Sequence, residues 1–245
     1  MNNVKFSVVV PVYNEEESIL PLCSSLKRVM SNLKEEYEVI INDSSQDQSL
    51  KVLTSVDFKP ADFIIVDIKD RSGQSCALQS GFDIARGEII ITMDGDLQND
   101  PNDIPKLLDK IKEDYDIVCG WRYHRKDPWD KIFISKIANY FRRVIAKEKI
   151  HDVGCTLRVF KKEALKDVYL SWCMHRFFTL IMSRLGYKIT EVNVIHCHRR
   201  FGRSKYNLHN RLFEGLAGLC YFLFCDIHRV VTKKANYKIK EVIRK

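Results

Sequence analysis

Two aspartates separated by one glycine follow an apolar run in the segment IIITMDGDLQNDP, residues 89–101. If the run forms a buried strand, Asp94 and Asp96 reach the same cavity where the strand opens into a loop. Two unpaired carboxylates there would repel each other and resist burial. A divalent cation removes this cost, because hard ions such as Mg²⁺ take oxygen ligands from carboxylates, amides and phosphates. Gln98 can add an amide oxygen, and the segment therefore suggests a metal site.

Other interpretations of the same carboxylates fit less well or remain open. An EF-hand loop beginning at Asp94 requires Gly at its sixth position and Glu at its twelfth, where the chain has Asn99 and Pro105. An aspartyl-phosphate phosphatase also carries Asp-x-Asp after a strand, but the supporting Ser/Thr and Lys pattern does not follow downstream. A solvated turn that caps the next helix stays open, since Asp and Asn favour turns and helix N-caps.

The elements around this segment predict an α/β fold with a doubly wound, mostly parallel sheet. Apolar runs typical of strands covered on both faces are Phe6–Val10, Glu38–Ile41, Phe63–Ile68, Glu88–Met93, Asp116–Cys119 and Ile189–His196. Helical periodicity lies between them at 19–33, 104–111 and 137–145. Asn14 and Glu17 predict a capping box for the first helix. Ligands of such sheets bind outside the carboxyl ends of the strands, where this chain repeatedly places polar residues.

The formal net charge of +8 over 245 residues implies an anionic partner, such as nucleic acid, an anionic membrane or phosphates. The basic residues concentrate between Arg199 and Lys205 and in the tail from Arg229 to Lys245. No helix-turn-helix, zinc-finger or aromatic RNA-reading pattern accompanies them, so we expect no nucleic acid. Phosphates and an anionic membrane surface remain as the expected partners.

Cysteine usage and the N-terminus predict a cytoplasmic protein. The eight cysteines are scattered without a Cys-x-x-Cys pair, which indicates reduced thiols. His196, Cys197 and His198 are adjacent and would point alternately to opposite faces of a strand, so they do not predict a metal site. A strand-like run follows Met1 almost directly, with no leader-like segment before it.

Several longer motifs occur in an order that resembles family 2 glycosyltransferases with the GT-A fold. They are VVVPVYNEEESI, INDSSQDQS, RSGQSCALQSGFDIARGEIIITMDGDLQNDP, GWRYHR, IHDVGCTLRVFKKEAL and HRRFGRSKYN. Within that family the chain is most similar to polyprenyl-phosphate hexosyltransferases such as dolichol-phosphate mannose synthase and bacterial undecaprenyl-phosphate sugar synthases. The resemblance covers residues 4–206 and implies a Rossmann-like GT-A catalytic domain over residues 1–206.

The resemblance also implies roles for individual residues. Mg²⁺ or Mn²⁺ is expected on Asp94, Asp96 and Gln98. Nucleotide-sugar contacts are expected from Pro11, Tyr13, Glu15, Asp43, Arg71, Asp94, Arg199 and Lys205. Contacts with an acceptor phosphate are expected from Arg122, Lys131 and Ser135. The residues expected to act in catalysis are Asp96, Asp152, Arg122 and Arg203. Asp152 is expected to orient the sugar or act electrostatically, with base catalysis left open, because a phosphate acceptor is already anionic.

The implied activity is an inverting, metal-dependent transfer of a hexose from a nucleotide-sugar, UDP rather than GDP, to a polyprenyl phosphate. One alternative is transfer to a sugar hydroxyl of a glycan or glycolipid, with Asp152 as an essential base. Another is a non-catalytic, membrane-bound nucleotide-binding or scaffold subunit. Asn42 and Ser44 favour the latter, because they replace the first Asp and the Gly of the more usual Asp-Asp-Gly-Ser.

Residues 207–245 predict a helical, basic extension of amphipathic character. Its apolar stretch, 212–225, contains Glu214 and falls short of the ~20 residues that span a bilayer. We expect it to lie in the membrane interface, with a terminal helix packed on the catalytic domain as the alternative. The protein is then peripheral on the cytoplasmic face of a membrane, and a separate membrane subunit or a homo-oligomer would complete its attachment.

Overall fold

An eight-stranded mixed sheet forms the centre of the protein, with the strand order β7-β5-β6-β4-β1-β2-β3-β8. The structure is a computed structural model that describes residues 4–69, 73–124, 150–166, 168–170, 174–201, 217–218, 220–222, 224–232 and 237–245. The strands are β1 Phe6–Val12, β2 Tyr37–Asp43, β3 Asp62–Lys69, β4 Ile89–Thr92, β5 Ile117–Trp121, β6 Arg158–Lys161, β7 Ile189–Asn193 and β8 Lys238–Arg244.

Helices cover both faces of the sheet. They are α1 Glu16–Asn32, α2 Ser49–Ser55, α3 Gln74–Ile84, α4 Ile104–Ile111, α5 Phe178–Arg184 and α6 Ile227–Val231, with short 3₁₀ helices at Pro101–Asp103, Lys162–Leu165 and Met174–Arg176. Successive residues of a strand face opposite sides, so Val8 and Val10 join the core beneath α1 and α4, whereas Val9 joins the core beneath α3 and α5. Burial on both sides explains why these strands read as uninterrupted apolar runs.

The strand directions bring the carboxyl ends of β1, β2, β3, β4, β5 and β7 to one edge. Parallel pairing joins β1 to β2 and β4, and β2 to β3. Strand β6 runs antiparallel to both β4 and β5, so β5 again runs parallel to β4. The predicted α/β sheet and its mostly parallel character are therefore confirmed.

The predicted N-cap of the first helix is wrong by one residue. Glu15, and not Asn14, occupies the N-cap position of α1, and its side chain makes no capping hydrogen bond there. Asn14 instead adopts a φ of 52°, and its Oδ1 accepts a hydrogen bond from the Gln46 N–H at 2.8 Å. Asn tolerates the left-handed region better than most residues, which makes it suited to the turn that joins β1 to α1.

The C-terminal residues also differ from the expected helical extension. Lys238–Arg244 form strand β8, which pairs antiparallel with β3 at the edge of the sheet. Lysines on an exposed edge strand discourage pairing with other chains, which fits this basic segment. The expectation of a helical segment over 207–245 is therefore wrong for these residues, which belong to the central sheet.

The apolar stretch 212–225 is described only in part, and its described residues between 217 and 224 are helical. Phe222 is buried against Phe177, with ring centroids 5.0 Å apart, whereas Phe224 is 88% exposed. Among the residues that the structure describes, none of the helices combines the length and hydropathy needed to cross a bilayer. The predicted helix over 137–145 lies outside the described residues.

Candidate active site

The carboxyl ends of β1, β2, β4 and β5 carry the polar residues that the sequence singled out. Glu15 follows β1, Asp43 ends β2, and Arg122 follows β5. The two central aspartates come directly after β4, which is hydrogen-bonded to β1 with Val9 opposite Thr92. One open edge of the sheet therefore gathers four carboxylates and one guanidinium from segments far apart in sequence.

Asp94 is a carboxylate whose charge is poorly compensated by the protein. Its Oδ1 accepts a hydrogen bond of 2.8 Å from the side-chain amide of Gln74, at the start of α3. Burial, and then the nearby charge of Asp96, raise the pKa of Asp94 to about 7, although a hydrogen bond from Thr156 and the charges of Arg122 and Arg158 oppose that rise. A neutral amide cannot cancel the carboxylate charge, so Asp94 still favours any cation that reaches it.

Asp96 is held by its own loop and by a residue that follows β7. Its Oδ1 accepts the Gln98 N–H at 3.1 Å, in a turn where Leu97 has a φ of 62°. Its Oδ2 accepts a 3.2 Å hydrogen bond from Arg199 Nη1, and Arg199 Nη2 donates to Glu15 Oε1. Burial raises the pKa of Asp96, while the Gln98 N–H and Arg199 oppose that shift. Arg199 thus bridges the loops after β1 and β4.

The expected metal ligands are compatible with a hard divalent ion. Asp94 and Asp96 supply carboxylate oxygens on one edge, and burial raises the pKa of each, a cost that a cation bound there would relieve. Gln98 is close by, with its amide nitrogen 3.4 Å from Nε2 of His196. Within the described ranges, no group of three or more His, Cys, Asp and Glu side chains is arranged to hold a metal. A bound ion would thus need further oxygens from a ligand such as a diphosphate.

The loop after β2 forms the other half of the expected nucleotide site. Asp43 accepts hydrogen bonds from the backbone N–H of Ser45 at 3.2 Å and from its hydroxyl, and the same hydroxyl accepts the Asn14 N–H at 2.7 Å. Burial raises the pKa of Asp43, and the bonds from Ser45 oppose that rise. Pro11 lies opposite Asn42 in the β1–β2 register, and Tyr13 follows β1. The roles of these residues in nucleotide binding remain predictions.

Asn42, one of the two departures from the usual motif, packs against helix α3. Its side chain is fully buried, and its Oδ1 accepts a 3.0 Å hydrogen bond from the Ser80 hydroxyl of α3. Among the described residues, its Nδ2 has no hydrogen-bond partner. A Cβ added at Gly81 would lie 2.7 Å from that nitrogen, so α3 packs closely against β2 here. Asn42 therefore faces the helix and not the open edge.

Arg122 and Asp152 form a buried, two-pronged ion pair beside the carboxylates. Arg122 Nε lies 2.7 Å from Asp152 Oδ2, and Nη2 lies 2.9 Å from Oδ1. The residues just before them, Trp121 and His151, stack with ring centroids 4.3 Å apart, and Glu191 of β7 accepts the His151 N–H at 2.9 Å. The structure thus brings together the acceptor-binding and sugar-orienting candidates, and it ties them to each other.

Several expected site residues lie outside the described residues. They are Arg71, Lys131, Ser135, Arg203 and Lys205. Their assigned contacts with nucleotide, acceptor phosphate and leaving group stay predictions.

Three residues that sequence reasoning missed also belong to this edge. Gln74 contacts Asp94, as described above. Arg158 is only 6% exposed and donates to three carbonyl oxygens, those of Cys155, Val153 and His175. Burial lowers the pKa of His175 to about 3, so its ring is neutral at physiological pH. The only sequence signal for Gln74 and Arg158 was their position inside two of the recognised motifs; His175 had none.

Comparison with known proteins agrees with this arrangement. The model of the family described as Glycosyl transferase family 2 matches residues 7–169. A dodecaprenyl-phosphate galacturonate synthase of Rhizobium johnstonii is 36% identical over 233 residues, which cover 91% of this chain and 68% of the relative. An undecaprenyl-phosphate 4-deoxy-4-formamido-L-arabinose transferase of Serratia proteamaculans is 34% identical over 206 residues, which cover 83% of this chain and 63% of the relative. The chain spans about two thirds of the length of these relatives.

Solved structures show the same fold at lower identity. Glucosyl-3-phosphoglycerate synthase from Mycobacterium tuberculosis, solved with Mn²⁺, UDP and glucosyl-3-phosphoglycerate, has a TM-score of 0.66 at 20% identity, covering 89% of this chain and 80% of that one. TarS of S. aureus, in complex with UDP-GlcNAc, has a TM-score of 0.61 at 20% identity, covering 91% and 68%. The GT-A fold expected from the motifs is confirmed, and the chain belongs to glycosyl transferase family 2.

Proposed function

We propose that this protein transfers a sugar from a nucleotide-sugar to a polyprenyl phosphate. An oxygen of the lipid phosphate attacks the anomeric carbon, and the bond from that carbon to the nucleoside diphosphate breaks. The diphosphate leaves with the bonding electron pair, and the configuration at the anomeric carbon inverts, giving a β-linked lipid-phosphate sugar from an α-linked donor. UDP is the donor nucleotide that we favour.

The proposal rests on the family to which the chain belongs, taken together with the acceptors for which its relatives are named. The relatives described above, aligned over 83% and 91% of this chain, are named for dodecaprenyl and undecaprenyl phosphate. Because the chain spans only about two thirds of their length, the activity, substrates and partners are proposals for this protein.

The donor half of the proposal rests on the edge that carries Glu15, Asp43, Asp94 and Asp96. A nucleoside diphosphate is strongly anionic, and the carboxylates alone would repel it. When bound to Asp94, Asp96 and Gln98, Mg²⁺ or Mn²⁺ would neutralise charge on the leaving diphosphate. Arg199, which already contacts Asp96 and Glu15, supplies the fixed positive charge on the protein side.

The acceptor half rests on Arg122 and Asp152. A general base must be able to take a proton, but Asp152 is held by two N–H donors of a guanidinium and by the Arg122 backbone N–H at 3.2 Å. This arrangement favours an acceptor that needs no deprotonation, such as a phosphate. We assign Asp152 to positioning Arg122, whose planar guanidinium suits phosphate recognition.

The acceptor implies where the protein works. A polyprenyl phosphate is confined to a bilayer, so the protein must meet a membrane surface during turnover. The basic residues Lys238 and Lys240, which lie towards the carboxyl end of β3, would favour an anionic leaflet. We place the protein peripherally on the cytoplasmic face, held there alone, as a homo-oligomer or by a separate membrane subunit.

The proposal is tested by incubating the purified chain with Mn²⁺ or Mg²⁺, a panel of UDP- and GDP-sugars, and undecaprenyl phosphate in detergent. We expect release of the nucleoside diphosphate and a lipid whose mass increases by one sugar residue. The matched acceptor control is undecaprenol, which lacks the phosphate and should remain unmodified. Transfer to sugar hydroxyls only would favour the alternative acceptor, and absent metal-coupled nucleotide binding would favour a non-catalytic subunit.

A further inference from the structure

A small cavity lies beside Asp94, between the start of α3 and strand β6. It is lined by Gln74, Asp94, Thr156, Arg158 and His175 and also by Leu78, Thr92 and Met93, and its volume is about 20 Å³. A space of this size accommodates one water-sized group. The lining combines a carboxylate with a buried guanidinium and an imidazole, so it can satisfy a group that both donates and accepts hydrogen bonds.

His175 is fixed in this cavity by three contacts. Its backbone N–H donates to Ser75 Oγ at 3.2 Å, and its ring Nδ1 lies 2.8 Å from the same oxygen. Its carbonyl oxygen accepts from Arg158 Nη1 at 3.4 Å. Ser75 is buried in the first turn of α3, and Arg158 is buried in β6. The imidazole is therefore held by two elements of the core, as a preorganised recognition group should be.

The contacts of Ser75 indicate which ring nitrogen carries the proton. Ser75 Oγ accepts the backbone N–H of His175, and among the described residues Nδ1 is the acceptor within hydrogen-bond distance of its hydroxyl, so we assign the hydroxyl proton to the bond with Nδ1. Nδ1 is then the acceptor of the ring, and the ring proton resides on Nε2. Among the described residues, Nε2 has no hydrogen-bond partner. The neutral ring thus presents an N–H donor that the protein itself does not use.

We propose that His175 Nε2–H recognises one hydroxyl of the transferred sugar, which enters the cavity and donates in turn to an acceptor of the lining such as Asp94. His175 is then a specificity-determining residue. This inference rests on the proposed function, because it requires a nucleotide-sugar at the edge beside Asp94. A site built to bind a hydroxyl rejects analogues that lack it, because its own polar groups are left unpaired.

The test separates binding of the sugar from binding of the nucleotide. The wild type and His175→Ala are titrated calorimetrically, with Mn²⁺, against UDP-glucose, UDP-galactose, UDP-galacturonate and GDP-mannose, and against UDP and GDP alone. For the nucleotide-sugar that the wild type binds most tightly, we expect His175→Ala to lose about tenfold in affinity, while its affinity for the free nucleotide is unchanged. A loss that is equal for nucleotide and nucleotide-sugar, or no loss, overturns the inference.

Three further variants distinguish a lost contact with the sugar from a disturbed fold. His175→Gln keeps a side-chain N–H and should recover part of the lost sugar affinity. Ser75→Ala removes the contact that fixes the ring and should lose about threefold for the nucleotide-sugar only. His228→Ala, at an exposed position of α6, is the matched control and should bind both ligands as the wild type does. Each variant is checked by thermal unfolding before titration.

A second comparison identifies the hydroxyl. Monodeoxy analogues of the best nucleotide-sugar are titrated against the wild type and His175→Ala, and one analogue should bind both proteins equally well. If every analogue still distinguishes the two proteins, His175 does not contact a sugar hydroxyl. A wild type that binds free nucleotide but none of the nucleotide-sugars overturns the proposed function itself, and the inference with it.

Discussion

The carboxylates after β4 and the carboxylate of Asp152 lie at the same edge of the sheet, but the protein treats their charges differently. Asp152 is neutralised by two N–H groups of Arg122, and backbone N–H groups of Arg122 and Gly154 add to this. Asp94 receives the neutral amide of Gln74, and Asp96 shares Arg199 with Glu15. The first arrangement is complete within the protein, whereas the second leaves negative charge for a ligand.

This difference separates a carboxylate that the protein itself neutralises from carboxylates that remain available to a ligand. A buried pair that loses one partner leaves an uncompensated charge, so loss of Arg122 or Asp152 should reduce stability, in addition to the proposed role of Arg122 in binding the acceptor phosphate. Carboxylates with raised pKa values oppose folding at neutral pH, so Asp94 and Asp96 should contribute mainly to function. Substitutions that remove charge should therefore lower the free energy of unfolding at the Arg122–Asp152 pair, and leave it little changed or raise it at Asp96 and Asp94.

The largest effect is expected from Asp96→Asn. The amide keeps the size of the side chain and its acceptor for the Gln98 N–H, but it removes the charge that a cation requires. We expect the transfer rate to fall about a thousandfold, which corresponds to about 4 kcal/mol, with stability little changed. Steady-state release of nucleoside diphosphate measures the rate, and Asp109→Asn on the exposed face of α4 is the matched control. A variant that retains a third of the activity contradicts a role in metal binding.

Breaking the buried ion pair should cost stability. Arg122→Met leaves Asp152 charged and unpaired in a buried position, so we expect the free energy of unfolding to fall by about 3 kcal/mol in urea titrations. Asp152→Asn should lower the free energy of unfolding by less than Arg122→Met does. It should retain measurable transfer activity, because no proton has to be taken from a phosphate.

The control for this pair is Lys112→Met, which breaks an exposed ion pair with Asp109 and should change stability by less than about 0.5 kcal/mol. If Arg122→Met is as stable as that control, the ion pair of Arg122 and Asp152 does not stabilise the fold. If Asp152→Asn abolishes transfer while Arg122→Met retains it, Asp152 acts as a base and the acceptor is a hydroxyl.

A smaller effect is expected from Arg199→Lys. The planar guanidinium reaches Asp96 and Glu15 at once, and a lysine ammonium cannot reproduce that fork. We expect about tenfold weaker binding of UDP in the presence of Mn²⁺, measured by calorimetry. Arg200→Lys, one residue further on and exposed, is the control. If the two variants bind UDP with equal affinity, the contacts of Arg199 with Asp96 and Glu15 are not needed for UDP binding.

The smallest effect is a gain of stability in Asp94→Asn. The folded pKa of Asp94 lies above the unfolded value near 4, so the folded state binds the proton more tightly. The stability of the wild type therefore decreases as pH rises from about 4 to about 7. Without metal, we expect Asp94→Asn to be more stable than the wild type by about 1 kcal/mol at pH 7 and equally stable at pH 4. Urea titrations at both pH values test this, and a pH-independent difference would contradict it.

The sequence predicted those parts of the fold and site that depend on local patterns. Continuous apolar runs marked β1 to β5 and β7, and the polar residues at their ends marked the open edge. Asp94 and Asp96 were found because a buried strand that ends in two carboxylates is locally unusual. Glu15, Asp43 and Arg122 were found in the same way, each directly after or at the end of a strand.

The remaining features depend on contacts between distant segments. Strand β6 has four residues, too few for a clear period, and lies antiparallel between β4 and β5. Strand β8 mixes charged and apolar residues because nearly all of its side chains are exposed, so its sequence predicts a basic tail and not a strand. His175 meets Ser75 across 100 residues, and Arg199 meets Glu15 across 184, so only the folded chain reveals them.

The antiparallel direction of β8 determines where Lys245 lies. Lys245 exchanges backbone hydrogen bonds with Phe63, at the amino end of β3, with N···O distances of 2.9 and 3.2 Å. That end of the sheet is opposite the carboxylates. An affinity tag or surface tether attached after Lys245 would therefore project away from the nucleotide and lipid substrates, and a protein immobilised in this way would present its open edge to vesicles added in solution.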